Sequence, residues 1–307
     1  MPGEAMAGGG ARRSGTARHF WQRHEKVLVP ALLLAPGGLL FALFVLYPIA
    51  ASVRLAFYEW NGVGPKTWVG LANFQELLAD HVFHTALGNN LIWLALIVIA
   101  PVLGLGVALL LVRMTLAMRL ARSLFFLPFV ISQVVVGMIF AWFFNADFGL
   151  LNRLLTALGA APVALLEGEH AIFAVILAGL WPQTAYCMML YLAGLTAIDR
   201  GSVDAARLDG AQGWRLVWHI VIPQLWPAHF IVAMVCVVSA LRSFDLVMIM
   251  TRGGPYDSST VLALYMYEQA FLSLRYGYAA AIASVQFVLM ATCVSFFLWH
   301  MLRRERQ

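Results

Sequence analysis

Residues 91–112 read Leu91-Ile-Trp-Leu-Ala-Leu-Ile-Val-Ile-Ala-Pro-Val-Leu-Gly-Leu-Gly-Val-Ala-Leu-Leu-Leu-Val112, without one charged side chain. A helix crossing the hydrocarbon core of a bilayer needs about 20 predominantly apolar residues. A surface helix of a soluble domain instead pairs an apolar stripe with a polar face, and this stretch has no polar face. The charge-free run containing it extends from His81 to Val112. Working outward, the same test finds charge-free runs at 27–53, 123–145, 170–198, 216–241 and 276–302. Each is long enough to cross once and too short to cross twice. The expectation is an all-α membrane protein with six transmembrane helices.

Composition agrees. Of 307 residues, 62% are hydrophobic and 11% charged, against about 45–50% and about 25% in soluble domains, and the mean hydropathy is +0.82. A soluble enzyme, a disordered chain and a fibrous repeat are excluded. Cys187, Cys236 and Cys293 all lie in apolar runs; an odd count with no C-x-x-C spacing gives neither a disulfide framework nor a metal site. The first run follows basic residues, but it is roughly twice the length of a signal-peptide apolar region (about 7–15 residues), and it reads as a span.

Basic residues set sidedness. The tail 1–26 carries Arg12, Arg13, Arg18, Arg23 and Lys26; alternate connections and the C-terminus add Arg113, Arg119, Arg122, Arg200, Arg207, Arg215, Arg303, Arg304 and Arg306. The opposite side has Arg54, Lys66, Arg153, Arg252 and Arg275. This asymmetry puts both termini in the cytoplasm. The organisation expected is a flexible basic tail at 1–26, a six-helix domain at 27–302 and a short basic end at 303–307. Gly104-x-x-x-Ala108 and Ala279-x-x-x-Ala283 are spacings that let helices approach closely.

Several apparent chemical motifs fail on inspection. In Gly62-Val-Gly-Pro-Lys66-Thr67 a proline without an N–H precedes the lysine, where a phosphate-binding loop needs glycine. Asp80-His81-x-x-His84 lacks the further ligands zinc requires. No catalytic constellation is evident, so an enzyme is not expected, nor is nucleic acid a partner.

The connection at about 195–226 stands out. Ser202 or Asp204 is suited to cap a helix start, Ala205, Ala206, Arg207 and Leu208 favour helix, and Gly210 supplies a break. A second stretch puts Trp214, Val217, Trp218 and Val221 on one face until Pro223 stops it. Two short helices meeting at a glycine make either a rigid knob for a partner or an interfacial helix resting on membrane lipid. The residues alone leave both open.

Asp204-Ala205-Ala206, then Gly210, then Ile220-x-Ile222-Pro223 has the spacing of the "EAA" loop of binding-protein-dependent ABC importer permeases. Phe148-Gly-Leu-Leu-Asn152, Leu192-Ala-Gly-Leu-Thr-Ala-Ile198, Phe244-Asp245 and Thr251-Arg-Gly253-Gly254-Pro255 resemble the sugar branch of that family, the maltose, multiple-sugar and glycerol-phosphate type permeases. The resemblance implies a type I ABC importer permease fold in the bacterial inner membrane, paired with a second homologous permease. It also implies an ABC ATPase dimer, which carries the ATP and Mg, and an extracytoplasmic solute-binding protein; this chain itself would bind no cofactor. Coupling would run through Asp204, Ala205, Ala206, Asp209, Gly210, Ile220 and Pro223. The family usually has Glu where Asp204 stands, so the acidic reach is one methylene shorter.

Ionisable residues inside a span default to a functional hypothesis. Arg242 and Asp245 are three apart in the fifth span and so share a helix face, where they either pair with each other or line a pathway with Ser243. Trp181, Gln183, Thr184 and Tyr186 surround Pro182 in the fourth run. This polar-aromatic patch suits a sugar-type substrate, or else serves helix–helix packing. Gln133 and Trp142 are weaker candidates.

Overall fold

The computed structural model describes residues 29–112 and 115–304. The tail at 1–26, Arg113 and residues 305–307 lie outside the described residues. Of the described residues, those at 29–54 and those from Leu55 onward belong to two separate units. The first contains most of α1 (Val29–Leu55), an apolar helix long enough to cross a bilayer.

The second unit is mostly helical. A two-stranded antiparallel ribbon, β1 (Tyr58–Glu59) and β2 (Thr67–Trp68), departs from the all-α expectation. The short α2 (Ala72–Ala79) follows, then α3 (His81–Leu96) and α4 (Ile99–Leu111), which together make one span-length rod. Next come α5 (Leu116–Val130), α6 (Gln133–Phe143), α7 (Leu150–Ala157) and α8 (Ala171–Thr196). The chain continues through α9 (Arg200–Leu208), α10 (Gly213–Gln224), α11 (Trp226–Leu241) and α12 (Asp245–Met250). It ends with α13 (Leu262–Tyr267) and α14 (Tyr276–Arg304).

Among the described residues, four helices are long and apolar enough to span; two further runs are bent pairs, and each supplies a span only if its two helices are counted together. The third run breaks between α5 and α6 with a 94° bend, where Ile131 and Ser132 are extended. Pro128 has no N–H for the carbonyl of Leu124, which weakens the last turn of α5. The fifth run bends by 70° at Leu225 between α10 and α11, because Pro223 and Pro227 flank that position and each removes a helical donor. Pro223 does not stop the helix: residues 217–221 form a π-turn, and the helix runs on to Gln224.

The core is centred on α8, which buries Val175, Ala178, Met188 and Tyr191 among others. α4 packs along it most extensively. A Cβ on Gly104 would lie 2.6 Å from Cys187 Cβ and 2.9 Å from the Met188 nitrogen, so glycine is what lets these backbones touch.

In hydrocarbon, broken helices survive only where neighbours satisfy the freed backbone groups. The end of α11 shows how. Asn90 Nδ2 donates to the Ala240 carbonyl at 3.2 Å, Ser243 Oγ donates to the same carbonyl at 2.9 Å, and Gln286 Nε2 donates to the Leu241 carbonyl at 2.6 Å. Asn90, wholly buried, also accepts from the Leu262 N–H at 2.8 Å. Its neighbour Asn89 donates to the carbonyls of Ser258 and Thr260, both at 2.8 Å. Two adjacent asparagines on α3 thereby tie the end of α11 and the start of α13 to one place.

Candidate functional site

α11 ends at Leu241; Arg242 is its C-cap residue, and Phe244, at φ −139° and ψ −57°, is not helical. Arg242 and Asp245 therefore do not share a helix face, correcting the expectation from their spacing. Their side chains form no ion pair with each other, and both are exposed. Among the described residues neither side chain has a charged or hydrogen-bonding partner.

The break instead opens a cavity of about 320 Å³ lined by Gln133, Gln183, Ser239, Arg242, Ser243 and Asp245, with Trp93, Ile97 and Phe244 as apolar walls. Each element contributes for a local reason. Gln133 starts α6 directly after the bend at Ile131–Ser132. Gln183 is fixed on α8 because its Oε1 accepts from Ser239 Oγ at 3.0 Å and its Nε2 donates to Cys236 Sγ at 3.4 Å. Gly179, one turn before Gln183, leaves room for Trp93 and Leu246, which a Cβ would meet at 3.2 Å. Six polar side chains with both signs of charge, set on an aromatic wall, can accept from and donate to hydroxyl groups.

Trp181 and Tyr186 lie elsewhere. Two helical residues separate by about 200°, so Trp181 faces away from Gln183. It packs edge-on against Phe140, with ring centroids 5.8 Å apart, in an apolar groove of about 860 Å³ that also takes in Thr184. Tyr186 stacks on Phe129 at 4.6 Å. Trp142 is half exposed and lines neither cavity. The expected polar-aromatic patch is thus divided, and only Gln183 of it joins Arg242, Ser243 and Asp245.

The segment after α8 is built as two short helices about a glycine. Asp199, not Ser202 or Asp204, caps α9: its carboxylate accepts from the N–H groups of Gly201 and Ser202 and from Ser202 Oγ at 2.6 Å. The Ser202 hydroxyl and these backbone donors hold the Asp199 carboxyl below the usual carboxylate range. This frees Asp204 to face outward, where it pairs with Arg207 at 3.1 Å. Ala205 and Asp209 are exposed and Ala206 half-buried. Gly210, at φ +87° with no neighbouring atom within 4 Å, makes the turn. On α10, Trp214 and Trp218 pack ring against ring at 5.6 Å, while Ile220 is half-buried and Pro223 exposed. Leu208 is 89% exposed, so the apex of this knob is apolar beside its acidic residues.

A further cluster escaped the sequence reading. Asp80 caps α3 by accepting from the Val82 N–H at 2.9 Å, and it also accepts from the hydroxyls of Tyr265 and Tyr278. Burial raises the Asp80 carboxyl, but the two tyrosines and the backbone donors outweigh it and hold it below its ordinary value. Arg275 lies over the Tyr278 ring at 4.4 Å and pairs with Glu76 at 2.6 Å. No local pattern marks Asp80, since Tyr265 is 185 residues away.

Residues 100–307 match the family model of the binding-protein-dependent transport system inner membrane component. A probable ABC transporter permease of Pyrococcus horikoshii is 35% identical over 86% of this chain and 91% of its own. The sulfoquinovosyl glycerol transport system permease protein SmoG of Agrobacterium fabrum is 33% identical over 87% and 88%. Among solved structures, a chain of a bacterial alginate ABC transporter, crystallised with an alginate pentasaccharide-bound periplasmic protein, superposes with a TM-score of 0.78 at 22% identity. It covers 92% of this chain and 97% of the other, which establishes the fold. On these matches, the chain belongs to the family of binding-protein-dependent transport system inner membrane components.

Proposed function

We propose that this chain is one of two permease subunits of an ATP-driven importer for a sugar or sugar derivative, spanning the bacterial cytoplasmic membrane six times with both termini inside. The observation that carries the reading is the cavity at the break after α11, where Gln133, Gln183, Ser239, Arg242, Ser243 and Asp245 converge between spans. Ionisable groups inside a membrane span are costly, and those that face a cavity mark a pathway by default. An unpaired cation and an unpaired anion together suit a polyhydroxyl solute, whose hydroxyls donate to the carboxylate and accept from the guanidinium. The carbohydrate-linked names of SmoG and of the alginate transporter support the substrate class.

In this reading each bent pair is a single span. The knob formed by α9 and α10 is the EAA loop: Asp204, Ala205, Ala206, Asp209 and Gly210 dock into the ATPase dimer, and Ile220 and Pro223 carry its motion to α11. ATP and Mg reside on that partner, a second permease completes the pathway, and a solute-binding protein delivers substrate from outside. The crowding of basic residues on the tail, on alternate connections and at the C-terminus supports this sidedness.

The test is binding-protein-stimulated ATP hydrolysis and sugar uptake by the reconstituted importer. Arg242→Ala should raise the half-saturating sugar concentration about 10- to 100-fold, the factor expected for a lost charge-assisted hydrogen bond. Trp181→Ala, outside the cavity, should leave it unchanged. A wild-type half-saturation in Arg242→Ala removes the cavity from the pathway, and uptake by the chain alone without ATP rejects the importer reading.

A further inference from the structure

Proline at 223 and 227 strips two N–H donors from the turns around Leu225, and the end of α10 is left with carbonyls to satisfy. The carbonyl of Ile222, which accepts from the Leu225 N–H at 3.1 Å, also lies 3.2 Å from His229 Nε2. A carbonyl only accepts, so Nε2 carries the proton. In the neutral ring Nδ1 is then an acceptor, and it lies 2.9 Å from the Tyr191 hydroxyl, which donates to it. One neutral tautomer thus joins α8, α11 and the end of α10. Tyr191 is 3% exposed. One turn further along α8, Gly194 brings the helices to contact, since a Cβ there would lie 2.8 Å from Ala228 Cβ and 3.1 Å from Leu225 Cδ2.

The same pair of helices carries polar contacts onward from the bend. Cys187 and Cys236 touch at 3.5 Å, Gln183 donates to Cys236, and Ser239 donates to Gln183. Positions 183, 187 and 191 recur every four residues and so form one stripe on α8. That stripe begins at the polar cavity and ends at the bend.

We infer that Tyr191 and His229 are positioning residues that fasten the bend at Leu225 to α8, so that displacement of the α9–α10 knob moves both cavity-lining helices together. Without this bridge the knob drives α11 alone, and the bend absorbs part of its movement. The inference rests on the reading of the knob as the ATPase-docking segment.

The test uses the assembled importer carrying Val238→Cys on the cavity wall in a Cys293→Ser background. A membrane-impermeant maleimide is the probe, applied with and without ATP and vanadate, while hydrolysis without vanadate is followed in parallel. The nucleotide-dependent change in labelling rate should shrink about fivefold in Tyr191→Phe and in His229→Leu, the factor one net hydrogen bond carries, while ATP hydrolysis continues. His229→Gln, whose amide can donate to Ile222 and accept from Tyr191, should restore it. An undiminished change in Tyr191→Phe overturns the inference, as does a loss in His229→Gln equal to that in His229→Leu. If His229→Leu does not assemble, Tyr191→Phe and His229→Gln decide the matter. Asp204→Cys cross-linking to the ATPase separates the two readings. Absence of the cross-link in an otherwise wild-type chain rejects the docking segment, whereas a retained cross-link with undiminished labelling change rejects only the Tyr191–His229 bridge.

Discussion

Gly104→Ala isolates the price of close helix packing in this protein. The added methyl would sit 2.6 Å from Cys187 Cβ, 2.9 Å from the Met188 nitrogen and 3.1 Å from the Cys187 carbonyl carbon. Carbon atoms prefer about 3.5–4.0 Å, and two of these neighbours are backbone, which no rotamer change moves aside. α4 must therefore withdraw from α8 by about 1 Å, an overpacking cost of about 1–3 kcal/mol. Replacing glycine with alanine inside a helix also gains up to about 1 kcal/mol of helix propensity. Gly106→Ala, two residues on, shares that gain but meets no atom within 4 Å. The difference between the two variants is then the steric cost alone, about 1–3 kcal/mol. Melting of the detergent-solubilised chain, read with a thiol-reactive dye, reports on this interface, because Cys187 and Cys236 are 1% and 2% exposed. Cys293, half-buried, sets the baseline. At about 2–4 °C per kcal/mol, Gly104→Ala should melt several degrees below Gly106→Ala. Equal melting temperatures would refute the close approach of α4 and α8.

Asn90→Leu should destabilise by about 1–3 kcal/mol for each group it strands, here the Leu262 N–H, with the Ala240 carbonyl retaining its bond from Ser243; the same dye-based melting measures it, and a change below about 0.5 kcal/mol, the usual range for surface substitutions, would contradict the role given to Asn90. Asp80, whose carboxyl is held below its ordinary value, contributes stability that is full above the unfolded carboxylate range and is lost as pH falls through the lowered native value. Melting temperatures followed from neutral to acid pH should therefore fall less steeply in Asp80→Asn than in wild type, and parallel curves would contradict the tyrosine clasp. Arg207 and Asp204 pair at 3.1 Å, but their side chains are 60% and 68% exposed, so Arg207→Ala should change stability by less than about 0.5 kcal/mol. If the knob docks as proposed, the same variant should weaken co-purification of the ATPase, and a large loss of stability without that effect would reverse the assignment.

Legibility in the sequence varied by feature. Apolar runs marked where membrane-length segments lie, and the spacing from Asp204 to Pro223 marked the family, because both are local properties of the chain. Helix ends were less legible. Asp199 competes with Ser202 and Asp204 for the start of α9, and it caps because its carboxylate reaches two N–H groups and a hydroxyl at once. Pro182 and Pro128 both sit inside helices. α8 continues through Pro182, buried in the core, whereas α5 ends just beyond Pro128. Gln133, a weaker candidate from sequence, lines the cavity, while Trp181 and Tyr186, stronger ones, pack against Phe140 and Phe129. Aromatic character signals burial of some kind and does not say against what.

By itself, the sequence determined the solvent, the segments of membrane length and the permease family, since hydropathy, charge placement and motif spacing are all read along one dimension. Only the tertiary structure decided that α11 ends at Leu241 with Arg242 as its cap, and hence that Arg242 and Asp245 line a cavity without pairing. The physical reason is distance along the chain: the carbonyls freed by that break are satisfied by Gln286, 45 residues from Leu241, and by Asn90, 150 residues from Ala240. A helix can end inside a membrane only where such partners arrive, and their arrival is a property of the fold.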